Sequence, residues 1–270
     1  MKVLRSLLLS FALPLAATTA CSITCPAPVI HLPSHAAATD DSEQAGAGGG
    51  SEPFRLGALA KAAGRTDKGT TGHNYVEVYE RFMLQWKNDP IKIFEIGIER
   101  GGSLLMWQEY FPKAKIFAVD IDDKAAMSNT RVKTIVGDQA KRTDLQKAID
   151  ISGGDIDILL DDGGHSMEQQ QVSFGYLFKF VKPGGYYILE DIHTSLPALW
   201  SGYGVDPDGK NTTLGMIEGY MQSTPPLFKS KYMLPDEIAY LNENVEYANL
   251  LYRAQDRSIT CIFKKKAAKK

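Results

Sequence analysis

The amino-acid sequence predicts an α/β protein: a doubly wound, mostly parallel sheet with a C-terminal antiparallel strand pair. Three observations carry this. Five short apolar runs alternate with helix-like segments, which is the order of a parallel sheet. Each run stops at a glycine or an acid, as strands do where a ligand crevice opens beyond their carboxyl ends. Two more strand-like runs, 245–253 and 258–264, are separated only by a short polar turn, so they pair antiparallel.

The folded part begins near Phe54. Leu56, Leu59, Ala60 and Ala63 have helical spacing. A turn-rich segment, 64–73, carries Asp67, Lys68 and His73, a dense group of reactive side chains just before Tyr75. A second helix is predicted over 74–87, with Tyr75, Val78, Tyr79, Phe82 and Trp86 on one broad face. Residues 91–96 form the first strand, and the glycine turn 97–103 leads into a helix over 104–111. Strands follow at 115–119, 132–136, 156–160 and 186–189, with helices at 143–149 and 167–181. A Pro-Gly-Gly break, 183–185, precedes the fifth strand. The irregular stretch 197–215 reads as a lid or substrate loop, and 212–222 as a helix.

Composition narrows the class. The 270 residues are 44% hydrophobic and 23% charged, which suits a globular core with an ordinary polar surface. A net charge of −2 gives no general attraction to nucleic acid. Residues 1–20 have the charged, apolar, small-residue order of a secretory signal or other targeting segment, an apolar run too short for a stable membrane span. Residues 21–53, rich in Ala, Gly, Ser and Pro, are expected to be a flexible linker. Residues 54–264 form the catalytic-type domain and 265–270 a basic tail. Cys21 and Cys25 fall in the leader and linker, so Cys261 is expected as a buried core thiol without a disulfide. Asn211-Thr212-Thr213 is a glycosylation sequon, usable only if the chain enters the secretory route.

The chemistry concentrates in residues 156–195. Asp161-Asp162 and Glu190-Asp191 end neighbouring strands, and His165 lies in the glycine turn between them. Carboxylates and an imidazole around one crevice point to a hard metal ion and a catalytic base. The glycine turn, Glu95-Ile96-Gly97-Ile98-Glu99-Arg100-Gly101-Gly102-Ser103, lacks the second glycine of a dinucleotide fingerprint. Glu95 would repel a pyrophosphate but suit a ligand with a cationic amino group. Asp120, about 20 residues past the glycine turn, is placed to accept hydrogen bonds from ribose hydroxyls.

This ordered set resembles the class I S-adenosylmethionine-dependent methyltransferases. With Thr66-Asp67-Lys68-Gly69, Tyr79-Glu80-Arg81, Lys182-Pro183-Gly184-Gly185 and Glu190-Asp191-Ile192-His193-Thr194-Ser195, it is similar to the metal-dependent sugar O-methyltransferases of macrolide biosynthesis, the mycinamicin and macrocin type. The resemblance covers about residues 56–196 and implies a Rossmann-like methyltransferase fold. It implies S-adenosylmethionine held by Tyr75, Glu95, Gly97, Gly101, Ser103, Asp120, Asp138 and Asp161. It implies Mg²⁺ on Asp161, Glu190 and Asp191, and His165 as the base that takes a proton from the acceptor hydroxyl. The acceptor would be a small hydroxylated molecule, a sugar or glycoside, and the chain a candidate homo-oligomer.

Blander roles stand beside these. Asp138 also suits a turn or helix cap, Asp162 a cap or a group behind the ligands, and His165 a cap. His193 suits substrate orientation or plain loop structure. Two rival functions use the same layout: an oxidoreductase of the cephalosporin hydroxylase type, and a non-catalytic binding protein on a retained fold.

Overall fold

The computed structural model describes residues 55–253 and 258–268. The expected leader, linker and start at Phe54 lie outside the described residues, as does the turn 254–257. Seven strands form one sheet in the order β3-β2-β1-β4-β5-β7-β6. They are β1 (Lys92–Ile96), β2 (Lys115–Asp120), β3 (Val132–Val136), β4 (Ile156–Asp161), β5 (Val181–Leu189), β6 (Val245–Arg253) and β7 (Ser258–Lys265). Strands β1 to β5 pair in parallel, and β7 pairs antiparallel with both β5 and β6.

The central strands are mostly apolar because both faces are covered. Along β1, Ile93 packs with α1 (Arg55–Ala63), α2 (Val76–Met83) and α3 (Gly102–Tyr110), through Leu56, Val76 and Leu104. Its neighbour Phe94 belongs to the core on the opposite face, to which α4 (Arg142–Ser152), α5 (Met167–Leu177), α6 (Thr213–Gln222) and α7 (Pro235–Asn244) contribute Leu145, Phe174, Ile217 and Leu241. Tyr186 and Tyr187 on β5 divide between the same two faces. A period of two thus sends alternate side chains into two cores. Each fully buried Leu, Ile or Phe stabilises the fold by roughly 1.5–3 kcal/mol.

Most predicted elements appear within a few residues of their expected bounds, and the departures have physical reasons. β5 starts at Val181, so the Pro-Gly-Gly segment lies inside the strand. Pro183 is accommodated because the register with β4 shifts between Ile156 and Ile158, leaving no ladder bond for it to break. α5 is correspondingly shorter than expected, and its start is fixed by a capping box between Ser166 and Gln169. α7 was not anticipated, although Pro235 at its first turn with Asp236 and Glu237 is a helix-start signal. Lys265 is not part of a tail. It ends β7, is buried, and its ammonium donates to the carbonyls of Lys179 at 2.8 Å and Val181 at 2.7 Å. Cys261 is a buried free thiol in β7. Among the described residues, no helix is long and apolar enough to cross a membrane.

The chain runs outward from β1 through β2 to β3, then returns to the other side of β1 with β4. That reversal leaves a crevice beyond the carboxyl ends of β1 and β4, where ligands bind in open α/β sheets.

Candidate active site

A cavity of about 400 Å³ opens at this reversal. Gly97, Ser103, Asp120, Asp138, Asp162 and His165 are among the residues that line it. Its floor depends on Gly97, whose φ is +88° and whose added Cβ would lie 1.9 Å from the Asp162 carbonyl oxygen. Only glycine lets the β1 turn and the β4 turn approach this closely. Backbone bonds from Gly97 to Val119, 2.8 Å, and from Asp162 to Ile96, 2.9 Å, hold the three strand ends together.

On the β1–β3 side, the Asp120 carboxylate accepts the backbone N–H groups of Ile98 at 2.8 Å and Asp122 at 2.9 Å. It therefore braces the glycine turn while facing the cavity. Asp138 also lines the cavity, accepts from Ala140 N–H at 2.9 Å and pairs with Lys141 at 3.2 Å, so its turn role is real. Gly101 does not touch the cavity; it precedes α3 with φ +75°. Glu95 stands one layer behind the wall, next to Ser103, and is fully buried. Neither of its carboxylate oxygens has a hydrogen-bond partner. Burial, only partly opposed by Lys68, pushes its pKa up to about 7. A buried acid with unused acceptors beside a cavity fits a ligand carrying an amino cation.

The β4–β5 side is an ionic cluster. The Lys68 ammonium, 1% exposed, donates to Asp162 and to Glu190, the latter at 3.0 Å, with Glu95 at 3.9 Å. Burial opposes this charge, but Asp162, Glu190, Glu95 and Asp67 outweigh it and hold the amine well above its ordinary pKa. His165 Nε2 lies 3.4 Å from Asp191 and 4.0 Å from Asp162. Burial would raise the Asp191 pKa, but His165, His73, the Tyr75 hydroxyl and His193 together lower it. His165 and Asp191 both have positive φ, +57° and +53°, conformations that cost energy and that recur at functional sites.

Two expected roles are corrected here. Asp161 is not among the lining residues, and its carboxylate is committed to the core: it accepts from Ser173, from Tyr187 at 2.6 Å and from Gln139 at 3.1 Å. β4 runs one residue further than expected, so Asp161 is a strand residue facing α5, and Asp162 is the first residue beyond the sheet. The donors that converge are those of Asp162, His165 and Asp191, which lie within 4.8 Å of one another. Tyr75 likewise does not line the cavity; its hydroxyl donates to Asp191 at 2.8 Å. Glu190 lies behind the cluster, with one oxygen on Lys68 and the other, Oε1, without a partner.

These features fit a divalent cation. Several carboxylates share one ammonium, one Glu190 oxygen is unsatisfied, and Asp162 and Asp191 offer convergent oxygens. Sequence reasoning passed over Asp162 as a ligand and gave no role to Gln139, whose side chain bridges Asp161 and the Gly164 N–H. The doubled acid after the β4 run was the available signal: in a sheet covered on both faces, only one of two adjacent acids can face the crevice.

The mostly parallel seven-stranded sheet with its antiparallel C-terminal pair is a Rossmann-like methyltransferase fold. No family model matches the chain. It is similar to known O-methyltransferases: it is 36% identical over 168 residues to demethylmacrocin O-methyltransferase of Streptomyces fradiae, covering 58% of this chain and 42% of that protein. It is 34% identical over 161 residues to mycinamicin VI 2''-O-methyltransferase of Micromonospora griseorubida, covering 56% and 39%. The MycE methyltransferase of the mycinamycin biosynthetic pathway, solved with Mg, SAH and mycinamycin VI, superposes with a TM-score of 0.65 at 28% identity, covering 81% of this chain and 56% of that one. The chain thus spans less than half the length of these two curated relatives.

Proposed function

We propose that the chain transfers a methyl group from S-adenosylmethionine to a hydroxyl of a sugar or glycosylated natural product, with Mg²⁺ bound. One observation carries the reading: a single cavity is lined both by Asp120 and Asp138, beyond β2 and β3, and by Asp162 and His165, beyond β4. A methyl donor and an acceptor can therefore meet in one shared cavity. The similarity to the O-methyltransferases named above supports the same reading.

S-adenosylmethionine supplies an electrophilic methyl group, and Mg²⁺ lowers the pKa of a bound hydroxyl. Asp120 and Ser103 would hold the donor, and Glu95, buried beside Ser103, would favour an amino cation on it. Asp162 and Asp191 would hold the metal. Mg²⁺ prefers oxygen, which leaves the His165 imidazole for the proton. His165 Nδ1 is buried, so Nε2, facing the two aspartates, receives it. Asp162 and Asp191 then stabilise the imidazolium. Holding donor and acceptor aligned supplies much of the remaining acceleration.

Calorimetry with S-adenosylmethionine, followed by Mg²⁺-dependent methylation of a glycoside panel, tests this. Binding and methyl transfer are expected. A nicotinamide cofactor binding in place of the methyl donor would overturn the reading in favour of an oxidoreductase. Donor binding without transfer to any acceptor would favour a binding protein. The leader is proposed to direct the chain to a secretory or organellar compartment; an intact Met1 in the mass spectrum of the mature protein would remove that part.

A further inference from the structure

We infer that the chain carries a second cation site, for a first-row transition ion such as Zn²⁺, on Asp67, His73 and Asp191. The methyl-transfer reading does not use Asp67 or His73, and the inference does not depend on it. Donor atoms of these three residues lie within 4.8 Å of one another. His73 Nε2 is 3.8 Å from Asp67 Oδ2 and 3.8 Å from Asp191 Oδ1. Two donors that share an ion at about 2.1 Å stand no more than about 4.2 Å apart, so both separations are within reach of one ion.

The loop is built to present these donors. The His73 backbone N–H donates to the Asp67 carbonyl at 2.6 Å, closing the loop on itself. Gly72 permits the closure: an added Cβ would fall 2.0 Å from that same Asp67 oxygen. The His73 ring is oriented from behind, with Nδ1 2.6 Å from the buried Ser258 hydroxyl, and it stacks on Tyr75. A hydrogen bond on one ring nitrogen that aims the other at a shared point is the usual support of a metal-binding histidine.

The donor set differs from the neighbouring one. Mg²⁺ is held by oxygens, whereas imidazole with carboxylates suits Zn²⁺, Co²⁺ or Mn²⁺. His193 adds a further imidazole, with Nδ1 3.7 Å from Asp191 Oδ1 and its ring 5.4 Å from that of His73. Tyr75 already donates to Asp191 Oδ1, which leaves that oxygen a second lone pair. Asp191 thus faces His165 through Oδ2 and His73 through Oδ1, and it serves both sites. Asp67 and His73 belong to the α1–α2 loop and Asp191 to the end of β5, so an ion here fastens that loop to the sheet.

Counting Co²⁺ on the full chain decides the matter. Chelator-stripped protein is titrated with Co²⁺, followed by its visible absorption and by equilibrium dialysis. The wild type is expected to bind one equivalent more than His73→Ala. Asp67→Asn, a change at an exposed position, is expected to weaken that equivalent by about 10–100-fold. Mg²⁺ affinity, measured in parallel, should be unchanged in both variants. An unchanged Co²⁺ count and spectrum in His73→Ala, or loss of Mg²⁺ and Co²⁺ together in Asp67→Asn, would overturn the assignment. Neither readout requires methyl transfer, so failure here and failure of the proposed activity are separable.

Discussion

The two halves of the crevice are built by different means. On the β1–β3 side, the acids are held by nearby backbone: Asp120 takes N–H groups from Ile98 and Asp122, and Asp138 takes one from Ala140. On the β4–β5 side, they are held by side chains from distant segments. Lys68 reaches Asp162 and Glu190 across 94 and 122 residues, and Tyr75 reaches Asp191 across 116. The first half is a scaffold that waits for a ligand. The second is a set of charges that must compensate one another at all times, because buried unpaired charge is costly.

If that contrast is right, substitutions in the second half should separate chemistry from cofactor binding. The largest effect is expected from His165→Ala. Its turnover should fall by about 10²–10⁴, the usual contribution of a positioned base, while calorimetry shows unchanged affinity for S-adenosylmethionine. Loss of that affinity would move His165 to the cofactor half. Lys68→Met should come next. Removing the one ammonium among Glu95, Asp162 and Glu190 is expected to cost about 3–5 kcal/mol in urea unfolding. Mg²⁺ should raise the melting temperature of this variant more than that of the wild type, since the ion then supplies the missing charge. An equal rise in both proteins would show that Lys68 and the ion act independently.

The same contrast explains what the sequence disclosed. The sheet, its reversal and the glycine turn follow from apolar runs and their punctuation, which are local. Gly97 and Asp120 lie within about one βα unit, so spacing marked them, whereas Asp138 was marked by the resemblance. The ionic cluster depends on which segments the fold brings together. Asp67, Lys68 and His73 could be noticed as a dense polar group, but nothing in their spacing showed that Lys68 would be buried against β4 and β5. For Asp161 a smaller point matters: one residue of strand length decides which of two adjacent acids faces α5. The resemblance located the cluster but chose Asp161 over Asp162.

The adjacent pair Asp161 and Asp162 is therefore a sharp test. Asp162→Asn is expected to weaken Mg²⁺ by about 10–100-fold, read by calorimetry, with little change in fold. Asp161→Asn is expected to leave Mg²⁺ affinity intact and to lower stability by about 1–3 kcal/mol, because donors from Ser173, Tyr187 and Gln139 lose their acceptor. The reverse pattern would return Asp161 to the metal.

The smallest effect concerns Glu95, a β1 acid that also faces Lys68 of the ionic cluster. Its carboxyl is raised by burial from 4.5 to about 7, so in the free protein it keeps a proton that the unfolded chain has already lost. Folding then takes up a proton across that interval, and the contribution to stability is present below pH 4.5 and declines as pH rises toward 7. Cofactor binding should have the opposite sign. An amino cation favours the ionised carboxylate, so binding releases the proton, and affinity should be about tenfold weaker at pH 6 than at pH 8. Calorimetry in two buffers of different ionisation enthalpy measures that release directly. Glu95→Gln should abolish both the proton release and the pH slope while keeping the fold, because a neutral amide suits the same buried position. A slope that survives this substitution would place the titrating group elsewhere in the cluster and detach Glu95 from the cofactor.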